Sequence, residues 1–263
     1  MRAFSSAITA AVSTITLLLV SLPAYATFPG KNGRIAFVLG PDIYTMSPDG
    51  SNLRQLTFLG EKAAFWESWS PDGKRIVFDV FSPPDFNVAQ IWLMNADGSN
   101  QHVVLAEDSF NEERPTFSPD GSTIVFNRCR LDIEACALYQ VAVTGDKLTA
   151  VTGYELGISD LSPGFSPDGH SLIFASIGRA GIIADLYLKN NNSSTLEALT
   201  PVPFSARQPN WSPDGSSVVF STHCCNPQNQ EIWTVNVHDH HLKRLTNNGN
   251  DYFAGPHDFH PSW

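Results

Sequence analysis

The chain has 263 residues, 42% of them hydrophobic, and a formal charge of −10. Such acidity repels phosphate backbones, and no basic patch with interleaved aromatics reverses it, so nucleic-acid binding is disfavoured and no nucleic-acid partner is expected. The length suits one large all-β domain or two small ones.

The first element in chain order is a leader. Arg2 supplies a positive charge, Ile8 to Leu22 is mostly apolar, and Ala24-Tyr25-Ala26 places small residues where signal peptidase reads. Residues 1–26 are therefore expected to be a cleaved signal peptide and 27–263 a single mature domain, secreted or periplasmic. The apolar stretch is short for a membrane span, and no later segment offers one. Removing Arg2 takes the formal charge from −10 to −11.

A repeat fills the rest of the chain. Ser-Pro-Asp-Gly occurs at Ser47–Gly50, Ser70–Gly73, Ser118–Gly121, Ser166–Gly169 and Ser212–Gly215. Apolar triplets begin at Ile35, Ile76, Ile124, Leu172 and Val218, separated by 41, 48, 48 and 46 residues. A second column reads Ile43-Tyr44, Ile91-Trp92, Leu138-Tyr139, Leu186-Tyr187 and Ile232-Trp233. A third reads Leu56-Thr57, Val104-Leu105, Val151-Thr152, Leu199-Thr200 and Leu245-Thr246. A fourth is the aromatic ahead of the tetrapeptide, at Trp69, Phe117, Phe165 and Trp211, with Trp263 last.

Each unit thus holds four short strands, called A (ending in the aromatic), B (the triplet), C and D, as in a β-propeller blade. In Ser-Pro-Asp-Gly, proline sets the second turn position, aspartate bonds nearby N–H groups, and glycine takes the left-handed conformation. Four copies join A to B. The copy at Ser47 joins C to D, where the second repeat has Asn95-Ala96-Asp97-Gly98, because both turns lie on one face. The turn role is preferred to metal binding for these aspartates. The first repeat lacks an A strand, and His260–Trp263 supplies one. The expected fold is all-β, a five-bladed propeller of four-stranded antiparallel blades closed by the C-terminal strand. The alternative is a six-bladed or truncated six-bladed propeller.

The run Trp69–Asn100, repeated across residues 28–263, resembles the TolB-type, WD40-like propeller repeat. The resemblance implies the propeller fold and a binding module, a partner of an enzyme domain or, occasionally, an enzyme. It leads to the expectation of a non-catalytic protein-interaction module with an envelope or extracellular protein partner. The alternative is a small-molecule or glycan binder, including a hydrolase or lyase. The protein is expected to be a monomer.

Two candidate sites follow. The long B–C and D–A loops share one face and carry Phe81, Phe86, Phe110, Ile182, Ile183, Tyr252 and Phe253, a partner surface or a cap over the blade ends. The A strands line the central channel. Trp66, Arg114, Ser162, Gln208 and His260 stand three residues before each aromatic, one residue after Phe65, Glu113, Leu161, Arg207 and Phe259. Glu113, Arg114, Asp160, Arg207, His257, Asp258 and His260 are expected to converge near its mouth. There the two arginines could hold a carboxylate, although a solvated ion-pair cluster is the simpler account. His238-Asp239-His240-His241 and the His257, Asp258, His260 group lie on opposite faces and share no ion, and no metal or other cofactor is expected. In an oxidising compartment the simplest pairing joins Cys129 to Cys136 and Cys224 to Cys225.

Overall fold

The computed structural model describes residues 33–83, 88–181, 183–201, 204–222 and 231–246. The leader, Phe86, Ile182, Cys224, Cys225, Tyr252, Phe253, His257, Asp258, His260 and Trp263 lie outside these residues. The described residues contain strands, turns and loops and no helix.

The strands fall into the expected units. The first is β1 (Ile35–Leu39), β2 (Asp42–Met46) and β3 (Arg54–Gln55), a three-stranded sheet. The second is β4 (Ala63–Trp69), β5 (Arg75–Phe81), β6 (Ala89–Asn95) and β7 (His102–Leu105), paired in that order. The third is β8 (Phe110–Phe117), β9 (Thr123–Arg130), β10 (Ala135–Ala142) and β11 (Thr149–Ala150). The fourth is β12 (Ser159–Phe165), β13 (Ser171–Ile177), β14 (Asp185–Asn190) and β15 (Leu196–Ala198). The last is β16 (Ala206–Trp211), β17 (Ser217–Thr222), β18 (Ile232–Asn236) and β19 (Leu242–Arg244). Pairing within each unit is antiparallel. The third and fourth units merge into one eight-stranded mixed sheet through a parallel pairing of Cys136 with Ser159.

The cores lie between successive units, which explains the triplet. Ile76 and Phe78 pack with Ile43 and Leu56 of the unit before, whereas Val77 packs with Phe117, Ile124 and Phe126 of the unit after. Ile173 likewise packs forward, against Trp211, Val218 and Phe220. A strand buried on both faces needs apolar residues at successive positions rather than alternating ones. Across each B–C pair the triplet phenylalanine stands opposite the aromatic of the C strand, as in Phe78 with Trp92 and Phe126 with Tyr139.

The threonine of the Leu-Thr column closes the other side of the unit. Thr57, Thr152, Thr200 and Thr246 accept the N–H groups of Ile43, Leu138, Leu186 and Ile232 at 2.9–3.0 Å. Thr57 in turn donates to Asp42 at 2.8 Å, and Thr246 to Glu231 at 2.7 Å. These buried carboxylates, each directly before the first residue of the second column, as Asp185 also is, satisfy hydroxyls that would otherwise be stranded.

The turns form as the motif requires. Ser70 Oγ donates to Asp72 at 2.7 Å and accepts the Arg75 N–H at 2.9 Å, while the Gly73 N–H reaches the Ser70 carbonyl at 2.9 Å. The Ala96 N–H bonds the Lys74 carbonyl at 2.8 Å, which ties the A–B and C–D turns of one unit together on a single face. Gly98 has φ +86°, and a Cβ there would lie 2.8 Å from the Leu56 carbonyl oxygen of the unit before. Gly73 has φ +67° with open space around it. Gly98→Ala is expected to cost ~1–3 kcal/mol in a denaturant titration, from backbone strain and this clash. Gly73→Asn should cost less than ~1 kcal/mol, because asparagine tolerates that conformation.

Candidate functional site

Each innermost strand carries a bulge at the same place. Between Phe65 and Ser68, Glu113 and Thr116, Leu161 and Gly164, and Arg207 and Asn210, two residues face one on the neighbouring strand. The first bulged residue is left-handed in every case: Trp66 (φ 47°), Arg114 (56°), Ser162 (54°) and Gln208 (53°). The second is Pro115, Pro163 or Pro209, with Glu67 in the remaining strand. A bulge is where a strand tolerates proline, since no ladder bond is lost there. That proline column is the sequence signal that could have located the bulge.

The bulges bring these side chains against one another, and neighbouring units lock them. Asp79 of β5 accepts the Arg114 N–H at 2.8 Å, and Asn127 of β9 accepts the Ser162 N–H at 2.8 Å. The Arg114 guanidinium lies 4.0 Å from the Trp66 ring centre and donates to Ser162 Oγ at 2.7 Å. Gln208 is bonded by the Ser221 hydroxyl at 2.9 Å. Trp66, Arg114 and Ser162 thus form one contiguous run. Burial and the nearby charge of Arg207 hold Arg114 below the ordinary guanidinium range, with Glu113 and Asp79 acting the other way. Asp79 is fully buried, and that burial pushes its carboxyl well up.

The structure corrects one expectation here. Asp160 does not join this group. It is fully buried between units, accepts from Ser176 at 2.5 Å and pairs with Arg179 at 2.7 Å. The bulge adds one residue to the strand, so position 160 takes the same side as Phe165 rather than the channel. The ion-pair cluster expected around Arg114 and Arg207 rests partly on His257, Asp258 and His260, which lie outside the described residues. Arg128, Arg179 and Arg244 each meet a carboxylate at 2.5–2.7 Å, but among the described residues no such pair forms at Arg114 or Arg207.

A second cluster, which sequence reasoning missed, lies beneath the loop face. Arg128 pairs with Glu107 at 2.6 Å and stands 3.7 Å from the fully buried Glu112. Its guanidinium stacks 3.8 Å from the Phe110 ring centre and 5.2 Å from that of Tyr139. Burial pushes Glu112 up to about 8 despite Arg128, with Glu107 adding to the rise. Arg179, Asp160 and Glu155 repeat the pattern one unit later.

On the loop face, Phe81 packs edge-on against Phe65 at 5.5 Å, and Phe110 is half-buried beneath Arg128, so both act partly as caps. A disulfide joins Cys129 and Cys136, which stand opposite each other across β9 and β10. The His238–His241 segment is a turn held by Asn236 and Asp239, with His240 3.1 Å from Glu197. Among the described residues, no three metal-ligating side chains converge.

No family model matches the chain. An uncharacterized protein of Agrobacterium fabrum is 26% identical over 200 residues, 68% of this chain and 60% of that one. The Tol-Pal system protein TolB of Francisella tularensis is 29% identical over 203 residues, 60% of this chain and 46% of TolB. The matches thus span less than two thirds of either relative. Among solved structures, TolB from Acinetobacter baumannii has a TM-score of 0.69 at 21% identity, covering 83% of this chain and 54% of that one. A putative TolB from Agrobacterium tumefaciens gives 0.70 at 16%, covering 85% and 80%. An oligogalacturonate lyase from Vibrio parahaemolyticus gives 0.62 at 15%, covering 82% and 62%. At these identities the structural likeness speaks for the β-propeller fold alone.

Proposed function

We propose, from the premise of a TolB-like β-propeller that is not TolB itself, that this chain is an exported protein-interaction module of the cell envelope. In this reading the leader directs it to the periplasm or the medium. Five blades form a monomeric ring in which residues 260–263 complete the first blade, and the long-loop face meets the partner. The relatives and neighbours named TolB support the reading.

The observation that carries it is where apolar side chains are exposed. Phe58 (78% exposed), Leu156 (85%), Leu39, Phe65, Leu131 and Leu245 all stand at the loop ends of their units. Ile35, Leu53 and Val103 are the large apolar residues exposed elsewhere among the described residues. A concentration on one face, held by a rigid scaffold, fits a partner surface. The test uses immobilised mature protein and envelope extract of the exporting organism. Wild type should retain a stoichiometric protein, and the Phe58→Asp, Leu156→Asp double variant should retain at least about tenfold less, equivalent to ~1.4 kcal/mol. Both proteins should melt within a few degrees of each other. Undiminished retention by the folded double variant removes the reading.

A second reading places a small-molecule or glycan site in the channel, with hydrolase or lyase chemistry included. Arg114 and Arg207, which make no ion pair among the described residues, favour it, and the neighbour named an oligogalacturonate lyase carries such an activity on a similar fold.

A further inference from the structure

We infer that Arg114 and Arg207 form a subsite for a carboxylate on the inner wall of the propeller. The inference rests on the second reading and specifies the chemistry of its ligand.

The first argument is charge compensation. In a chain of formal charge −10, acids are plentiful, and buried arginines find them. Arg128 reaches Glu107 and Glu112, Arg179 reaches Asp160 and Glu155, and Arg244 reaches Glu231. Arg34 and Arg75 end on backbone carbonyls of Thr45 and Gly121. Among the described residues Arg114 has a serine hydroxyl and the face of Trp66 but no carboxylate in ion-pair contact, and its Nε, like those of Arg207 and Arg128, has no hydrogen-bond partner there. A half-buried cation whose opposing charges, Glu113 and Asp79, make no contact with it is incompletely compensated, and the charge of Arg207 repels it.

The second argument is that the nearby acids make no ion-pair contact with the Arg114 guanidinium and act on it only through space. Asp79 spends Oδ2 on the Arg114 backbone N–H, and Glu113 accepts from the Asn111 side-chain amide. The third is preorganisation. The left-handed bulge, the Asp79 bond, the Trp66 stack and the Ser162 bond fix the plane of the Arg114 guanidinium before any ligand arrives. An arginine held flat by an aromatic face and one hydroxyl presents its remaining N–H edge for bidentate capture of a carboxylate. Arg207, one residue before the left-handed Gln208, supplies a second cation from the strand beyond Ser162.

The measurement is titration calorimetry on the mature chain at fixed ionic strength. The probes are trigalacturonate, its methyl ester, hexaglutamate and hexaglutamine. Binding of either acidic probe, with its neutral counterpart at least tenfold weaker, is expected, and the probe that binds identifies a sugar acid or an acidic peptide as the source. Arg207→Gln and Arg114→Lys should each weaken that binding at least tenfold while melting within a few degrees of wild type. The lysine variant keeps the charge but loses the planar fork. Equal binding of acidic and neutral probes, or affinity unchanged in both folded variants, overturns the carboxylate assignment while leaving a channel site standing. Absence of binding by all four probes overturns both. Neither result bears on partner capture by the loop face, which Phe58 and Leu156 report.

Discussion

Phe126→Ala should lower the unfolding free energy by ~3–5 kcal/mol, the range for emptying a fully buried phenylalanine site. Phe126 is 0% exposed and packs with Val77, Ile91, Leu93 and Phe117, bridging two units. It stands opposite Tyr139 on one side and opposite the bulged pair Arg114 and Pro115 on the other. The cavity can collapse only by moving one sheet toward the next, which the bond from the Arg75 guanidinium to the Gly121 carbonyl of the following unit resists. Differential scanning calorimetry should show the midpoint falling by roughly 6–20 °C. Phe58→Ala, at a site 78% exposed, should change stability by less than ~0.5 kcal/mol. A Phe126→Ala protein as stable as wild type would mean that the units do not share the core described above.

The second large effect is a pH dependence centred on Glu112. Its folded-state carboxyl is pushed up to about 8, by burial first, against an ordinary 4.5. Between those two values the unfolded chain has released this proton and the folded chain retains it. Stability must therefore fall as pH rises through that window and level off above it. The geometry agrees: Arg128 sits close on Glu107 at 2.6 Å and stands off from Glu112 at 3.7 Å. The group's share is on the order of 2–4 kcal/mol, or roughly 5–15 °C in melting temperature between pH 5 and pH 8. Glu112→Gln, neutral and nearly the same shape, should flatten much of that slope and raise the melting temperature at pH 8. Asp79, whose carboxyl burial also pushes up, contributes in the same direction and should sustain the remaining slope. A Glu112→Gln curve parallel to wild type from pH 5 to 8 would show that Glu112 is ionised throughout that range in the fold.

The repeat was legible because local chemistry dictates it. The proline and glycine of Ser-Pro-Asp-Gly fix a turn wherever they occur, and a triplet such as Ile76-Val77-Phe78 is apolar throughout because neighbours cover both faces. The pairing of Cys129 with Cys136 could also be read, since one hairpin brings them together. The polar interior could not. Glu112 meets Arg128 across 16 residues and Asp160 meets Arg179 across 19, and each pair depends on which side of a strand a residue takes. A single extra residue at the bulge reverses that side, so Asp160 moves from the expected channel group to a buried pair. Arg114 lies in β8, the strand that carries the aromatic of its unit. Its stack on Trp66 and its bond to Ser162 join residues 48 positions apart, a relation only the packing of successive units creates.

The serine–aspartate turns reach beyond local geometry. Asp49, Asp72, Asp97, Asp120, Asp146, Asp168 and Asp214 all lie on the turn face, and hydrogen bonds from neighbouring serines or threonines hold each carboxyl below its ordinary range. That face consequently keeps its negative charge during an acidification that discharges ordinary surface carboxylates. Near an anionic surface the molecule should therefore orient like a keel-weighted float, with its charged base repelled and the opposite face, with Phe58 and Leu156, turned inward. Electrostatic orientation of this kind weakens as salt shortens the screening length. Adsorption to an anionic surface should therefore become less oriented, rather than simply weaker, as ionic strength rises.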